Sequence, residues 1–166
     1  MRRALVFLLL CCAGPALAAD HPDYTGTWTL DLAASDSVDP LMKAQGQSWI
    51  ARRAARRMKV TQTLAQTEQS LTADLDSSLG HRHETLPIGG DWEVRTSDDG
   101  SSVKVRTAWV GDALVTETQL RLNDGSPAEL GISRTLADGG RTMVQTLALR
   151  RGDQPTISAR RVFRRR

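Results

Sequence analysis

Turn-forming residues recur along the second half of the chain at nearly even intervals: SDDG at 97–100, GD at 111–112, NDG at 123–125, ADGG at 137–140 and GDQP at 152–155. Gly, Asn and Asp reverse a chain within a few residues because they tolerate positive φ or bond their own backbone. The stretches between these turns alternate. Leu114, Thr116, Thr118, Leu120 and Leu122 share one face against Val115, Glu117, Gln119 and Arg121, and Val103, Val105, Thr107 and Trp109 oppose Lys104 and Arg106. A period of two is the mark of a half-buried strand. Upstream, YTGTWTLDL, MKVTQTLAQ, QSLTADL, RHETLPI and DWEVRTS read as shorter strands, and AELGISRTL, RTMVQTLALR and SARRVF complete about ten. Ten short strands in a near-continuous meander expose two edges if the sheet stays flat. Closure into an up-and-down antiparallel β-barrel removes them.

One segment interrupts the meander, between the first two strands. In SVDPLMKAQGQSWIARRAARR, Asp39 and Pro40 open a helix, Gly46 stops it, and Ser48 can cap a second helix. The second helix sets Trp49, Ile50 and Ala54 against Arg52, Arg53, Arg56 and Arg57. The apolar side needs a cover, which a barrel mouth provides. The fold class is therefore all-β with a short helical lid.

The N-terminus reads as a secretory signal. Arg2 and Arg3 precede an apolar run too short to span a membrane, and Ala16-Leu17-Ala18 forms a small-residue cleavage site. Residues 1–18 are the expected signal peptide and 19–166 one β-barrel domain, large enough to bury a core without cross-links. Both cysteines, Cys11 and Cys12, fall in the signal without the small residues of a lipobox, so neither a disulfide nor a lipid anchor is expected. Export without disulfides points to a bacterial secreted or periplasmic protein. Removing Arg2 and Arg3 takes the formal charge of +3 to about +1, so the high pI is not in itself a nucleic-acid signature; the basic runs 51–59 and 159–166 read as solvated faces, with electrostatic recognition as the alternative. No nucleic-acid partner is expected, and the chain is expected to be a monomer.

The last strand poses the functional question. In SARRVF, Ala159, Arg161 and Phe163 share a face and Ser158, Arg160 and Val162 the other, so either face carries an arginine. Arg134 likewise falls on the face of Leu130, Ile132 and Leu136. A buried guanidinium keeps its charge and requires an anion. A carboxylate is the best geometric partner, because the fork can donate two parallel hydrogen bonds to it. That anion could belong to a ligand, or to the protein's own Glu117, Glu84 or Asp74 in a filled barrel.

The order of Gly26-Thr27-Trp28, DPLMKAQG, LPIGGDW, ISRTLADGGRTMVQTLAL and ARRVF resembles the intracellular lipid-binding proteins, the fatty-acid-binding proteins of the lipocalin-like (calycin) superfamily. The resemblance covers nearly the whole of 19–166. It implies a barrel holding a small hydrophobic or amphiphilic ligand such as a fatty acid, with Arg161 and Arg134 at the positions of that family's carboxylate-binding arginines. Phe163 stands where the family has tyrosine, which removes one hydroxyl donor. Met42 and Trp49, on the two lid helices, are the further expected ligand contacts.

Other chemistry is thin. His81 and His83 share a strand face and could meet Glu84 or His21 around zinc, but surface histidines of this spacing need no metal, and none is expected. No nucleophile elbow, cysteine nucleophile or phosphate loop is present after residue 18, and no cofactor or enzyme activity is expected. Trp28, Trp92 and Trp109 are expected in the core. The competing expectation is an envelope protein with a filled barrel whose basic lid helix contacts anionic lipid or a partner.

Overall fold

The structure, a computed structural model, describes residues 21–97 and 100–166. The expected signal peptide and the pair Asp98–Asp99 lie outside these residues. The described chain runs β1 (Gly26–Asp31), α1 (Asp39–Ala44), α2 (Trp49–Ala55), β2 (Val60–Gln66), β3 (Ser70–Ser77), β4 (Gly80–Pro87), β5 (Glu93–Thr96), β6 (Ser102–Val110), β7 (Ala113–Arg121), β8 (Pro127–Ala137), β9 (Thr142–Arg150) and β10 (Ile157–Arg165). One ten-stranded sheet results, in the order β4-β3-β2-β1-β10-β9-β8-β7-β6-β5, every hydrogen-bonded neighbour antiparallel. This is the curled meander that the alternation implies.

The hydrogen-bonded ring is incomplete between β4 and β5. At one end of this seam Ile88 bridges Thr107, and the Gly89 amide donates to the Thr107 carbonyl at 2.8 Å. Elsewhere the seam is spanned by side chains, with Glu84 on β4 3.9 Å from Arg95 on β5.

The barrel interior divides into layers. At the base, Trp28, Tyr24, Leu64, Leu71, Leu114 and Met143 are essentially inaccessible and form one apolar cluster. At the lid, Leu41 of α1 joins Leu122, Ala128 and Leu149 in a second. Arg151 holds α1 to the barrel by donating to the Ala44 carbonyl and to Asp124 Oδ2, at 3.5 and 2.7 Å. The lid turn is fixed by close approach: Gly46 has φ +79°, and a Cβ there would lie 2.9 Å from Asn123 Nδ2, which donates to the Gly46 carbonyl.

α2 is oriented opposite to the sequence expectation. Ser48 caps it as expected, accepting from the Ala51 amide at 3.3 Å, but Ala55 is its buried residue, while Trp49 and Ile50 are 64% and 65% exposed. The cause is α1: Arg52 donates to Asp39 Oδ2 at 3.1 Å, which turns the Arg52–Ala55 side inward and the two large apolar residues out. Trp92 is also not a core residue; it is half-buried beneath Arg106, whose Cζ lies 4.6 Å from the ring centroid.

The C-terminal arginines are stitched into the base. Arg165 lies 4.4 Å over the Trp28 ring and donates to the carbonyls of Gly140, Thr25 and Asp23 at 2.8, 2.7 and 3.2 Å. Trp28 Nε1 in turn donates to the Tyr24 carbonyl at 2.8 Å. Gly26, at φ +133°, is needed here because a Cβ would approach Arg165 Nη1 to 3.1 Å. Arg165→Ala is expected to lose about 2–3 kcal/mol by removing these charged donors and the ring cover. Arg165→Lys should recover only part of that, since a point charge cannot reproduce the fork. Chemical denaturation checks both, and an unchanged midpoint in Arg165→Ala would contradict this role.

Candidate functional site

Between the two apolar clusters lies a belt of buried polar side chains: Gln62, Thr107, Thr116, Arg134, Gln145 and Arg161. The register explains why they meet. Arg134 on β8 lies opposite Gln145 on β9, and Gln145 lies opposite Arg161 on β10, so the three form one cross-strand row on the inner face. Strands are spaced about 4.8 Å apart, which sets the two arginine Cα atoms about 10 Å apart with Gln145 between them. Both arginines retain only 8% of their accessible surface.

Their hydrogen bonding is incomplete. Arg134 Nη1 donates to Thr116 Oγ1 at 3.0 Å, and Thr107 donates to the same oxygen at 3.1 Å. Among the described residues, Arg134 Nε is buried with no partner. Gln145 Nε2 donates to Gln62 Oε1 at 3.0 Å, tying β9 to β2 across the interior. Among the described residues, Arg161 has neither an ion pair nor a side-chain hydrogen bond.

The internal acids named as possible partners are engaged elsewhere. Glu117 pairs with Arg106 on the outer face, and Asp74 pairs with His83 at 2.6 Å, also outside. Glu84 does face inward, but its ion-pair contacts are Arg95 at 3.9 Å and Arg82 at 4.0 Å. Burial pushes the pKa of Arg134 below the ordinary guanidinium value, with the fields of Glu84 and Tyr24 acting the other way. Burial alone does the same at Arg161. Since arginine does not deprotonate in proteins, this lowering expresses the desolvation cost of holding two charges in the barrel, offset in part at Arg134 by Glu84 and Tyr24.

A partly open hollow of about 340 Å³ reaches Arg161 from the lid side, walled by Leu32, Ser35, Asp36, Val38, Ala55 and Arg56; Asp36 Oδ2 accepts from the Arg160 amide at 2.8 Å. A larger groove of about 600 Å³, lined by Lys104, Gln119, Arg121, Glu129 and Arg150, lies on the outer face of the sheet. It shares no residue with the polar belt.

Of the other expected contacts, Phe163 is buried in the base cluster, paired with Leu30 and Met143 one row from Arg161. Met42 is half-buried on α1, outside both apolar clusters, and Trp49 is on the outer side of α2. The structure does not bring these two to the arginine row. Gln62, Gln145, Thr107 and Thr116 were missed as a set, although Gln62 lies between Val60 and Leu64 on one face and Gln145 between Met143 and Leu147. The reasoning that found the arginines finds these glutamines too. Tyr24 was also missed: its hydroxyl donates to the Arg134 carbonyl and secures that strand from below.

The histidines do not converge. His81 Nδ1 lies 2.9 Å from Asp76 on the outer face, and His21 stacks on Trp109 at the base with centroids 4.2 Å apart. The Asp76 hydrogen bond raises the His81 pKa. Glu84 stands on the opposite face from both His81 and His83.

No family model matches the chain, and no curated protein matches it. Solved structures do. Caenorhabditis elegans lipid binding protein 8 superposes with a TM-score of 0.69 at 15% identity, over 86% of this chain and 95% of its own. Human cRBP IV gives 0.68 at 22% identity over 87% and 99%. The REP1-NXSQ fatty acid transporter gives 0.65 at 23% identity over 86% and 95%. The chain has the fold of these fatty-acid-binding and lipid-binding proteins, over nearly their whole length.

The stability of the empty protein follows from the missing acids. Arg134→Leu and Arg161→Leu each remove a buried, poorly compensated charge, so both are expected to unfold at or above the wild-type temperature without ligand. An internal ion pair would instead give a loss of about 3–5 kcal/mol on breaking it. Calorimetry of delipidated protein separates the two.

Proposed function

We propose that the protein is an exported binding protein that holds a small amphiphilic carboxylate, such as a fatty acid, in the barrel, with Arg134 and Arg161 on its headgroup. One observation carries the reading: two guanidinium groups are buried on one interior row with no acid paired to either. A ligand carboxylate offers the charge and the paired acceptors that the barrel withholds. The hollow beside Arg161 falls in the usual size range of ligand sites, about 300–1,000 Å³. The fold neighbours support binding rather than catalysis, since two of them are named for lipid binding and fatty acid transport. The signal-like residues 1–18 support export.

Thermal unfolding with hexadecanoate tests the anchor. The wild type is expected to rise in Tm, while Arg134→Leu and Arg161→Leu lose most of that rise, because truncating one partner of a buried charged contact costs about 2–5 kcal/mol. Equal ligand stabilisation of all three proteins would refute the assignment. Phe163→Tyr, one row from Arg161, should tighten binding by up to about 1.5–3 kcal/mol through the added donor.

A second reading, contact with an anionic membrane surface, rests on α2. Trp49 and Ile50 stand exposed beside Arg53, Arg56 and Arg57, the composition of a helix that rests in a lipid interface. Binding to anionic vesicles is expected to exceed binding to neutral ones, to weaken with salt, and to fall in Trp49→Ala. Indifference to vesicle charge would remove α2 from that role.

A further inference from the structure

The charge count of the interior says more about the headgroup than that it is an anion. By register, Arg82 and Glu84 on β4, Glu93 and Arg95 on β5, Arg134 on β8, and Arg161 and Arg165 on β10 all belong to the inner face; Arg165 lies at its exposed base end, held by three carbonyls and the Trp28 ring. Both acids are engaged at the β4–β5 seam. Arg95 Nη2 lies 2.9 Å from Glu93, and Glu84 lies 3.9 Å from Arg95 and 4.0 Å from Arg82. The seam therefore balances its own charge, and Arg134 and Arg161 are left with two positive charges between them. Every other group of the belt is a neutral hydroxyl or amide: Thr107, Thr116, Gln62 and Gln145.

A monocarboxylate neutralises one of these charges and leaves the other buried. Accommodating an uncompensated charge in an apolar enclosure is costly, so the complementary ligand carries two. Donor geometry points the same way. Among the described residues, Arg134 Nε is a buried donor without an acceptor, the Arg161 fork has no protein partner and borders the hollow on the lid side, and Gln145 separates the two residues by a full strand. A group presenting three oxygens in a tetrahedron can meet two forks arriving from separate strands, whereas a carboxylate has two oxygens in one plane. We propose that the preferred ligand is an amphiphile with a dianionic headgroup of the phosphate-monoester type, its chain in the apolar barrel and its headgroup between Arg134 and Arg161. This rests on the reading of the arginine row as a ligand anchor and narrows the ligand class.

The test titrates delipidated protein by calorimetry with hexadecyl phosphate, its methyl diester, hexadecanoate and inorganic phosphate. At about pH 7.5 the monoester carries nearly two charges, since its second pKa is about 6, while the diester keeps one. The monoester is expected to bind at least about tenfold tighter than either singly charged amphiphile, as one more close charge pair is worth several kcal/mol before desolvation. Arg134→Gln and Arg161→Gln should each abolish the preference for monoester over diester. Diester or hexadecanoate binding as tightly as the monoester overturns the dianion proposal while leaving the anchor reading in place. A preference that survives in both variants also overturns it. Inorganic phosphate binding as tightly as the monoester overturns the amphiphile, because the chain then contributes nothing. If no long-chain ligand binds, the anchor reading fails together with the proposal.

Discussion

Two guanidinium groups that cannot shed their charge stand on the inward face of β8 and β10, between a base cluster around Trp28 and Met143 and a lid cluster around Leu41 and Leu149. Polar groups in such a place either find partners or destabilise the fold. Here the partners are partial: one threonine hydroxyl for Arg134, no charged one for either. The rest of the barrel interior is arranged around this deficit. Above the row, α1 seals one side of the mouth and leaves a hollow that ends at Arg161. Below it, Tyr24 holds the Arg134 backbone and Phe163 supplies a closed apolar floor.

The same molecule shows what a satisfied arginine looks like. Arg165 closes the base with three carbonyl acceptors and the Trp28 ring, and Arg106 has Glu117 beneath it. These are structural solutions, built from neighbours fixed by the sheet. Arg134 and Arg161 lack any such arrangement although carbonyls and acids are plentiful in the chain. The contrast is what separates a site from a brace.

Much of this was legible in the sequence because strand periodicity is rigid. Once Leu130, Ile132 and Leu136 are inward, Arg134 must be too, and the GD turn at 111–112 leaves little freedom in how β6 meets β7. What failed was short or local. α2 has only seven residues, and the side it turns inward carries Ala55 and Arg52, tied to Asp39, rather than Trp49 and Ile50. The bonding of the C-terminal RRR is hidden in the sequence because its acceptors are backbone carbonyls of residues far away along the chain, which composition does not display. The β4–β5 seam was equally hidden, since a missing hydrogen-bond ladder leaves no residue pattern of its own. Tyr24 is hidden for a related reason: it precedes β1 and finds its acceptor on β8, a contact only the curled sheet creates.

The central claim is that a ligand anion completes the hydrogen bonding of Arg134 and Arg161. Its most direct measurement is nuclear magnetic resonance of the arginine Nε–Hε groups in ¹⁵N-labelled protein, followed as an amphiphilic anion is added. The Arg134 Nε–H, without an acceptor in the empty barrel, should shift downfield and exchange more slowly with solvent, together with that of Arg161, while the well-bonded Arg165 Nε–H stays in place. A ligand that binds without moving either interior resonance would contradict the account.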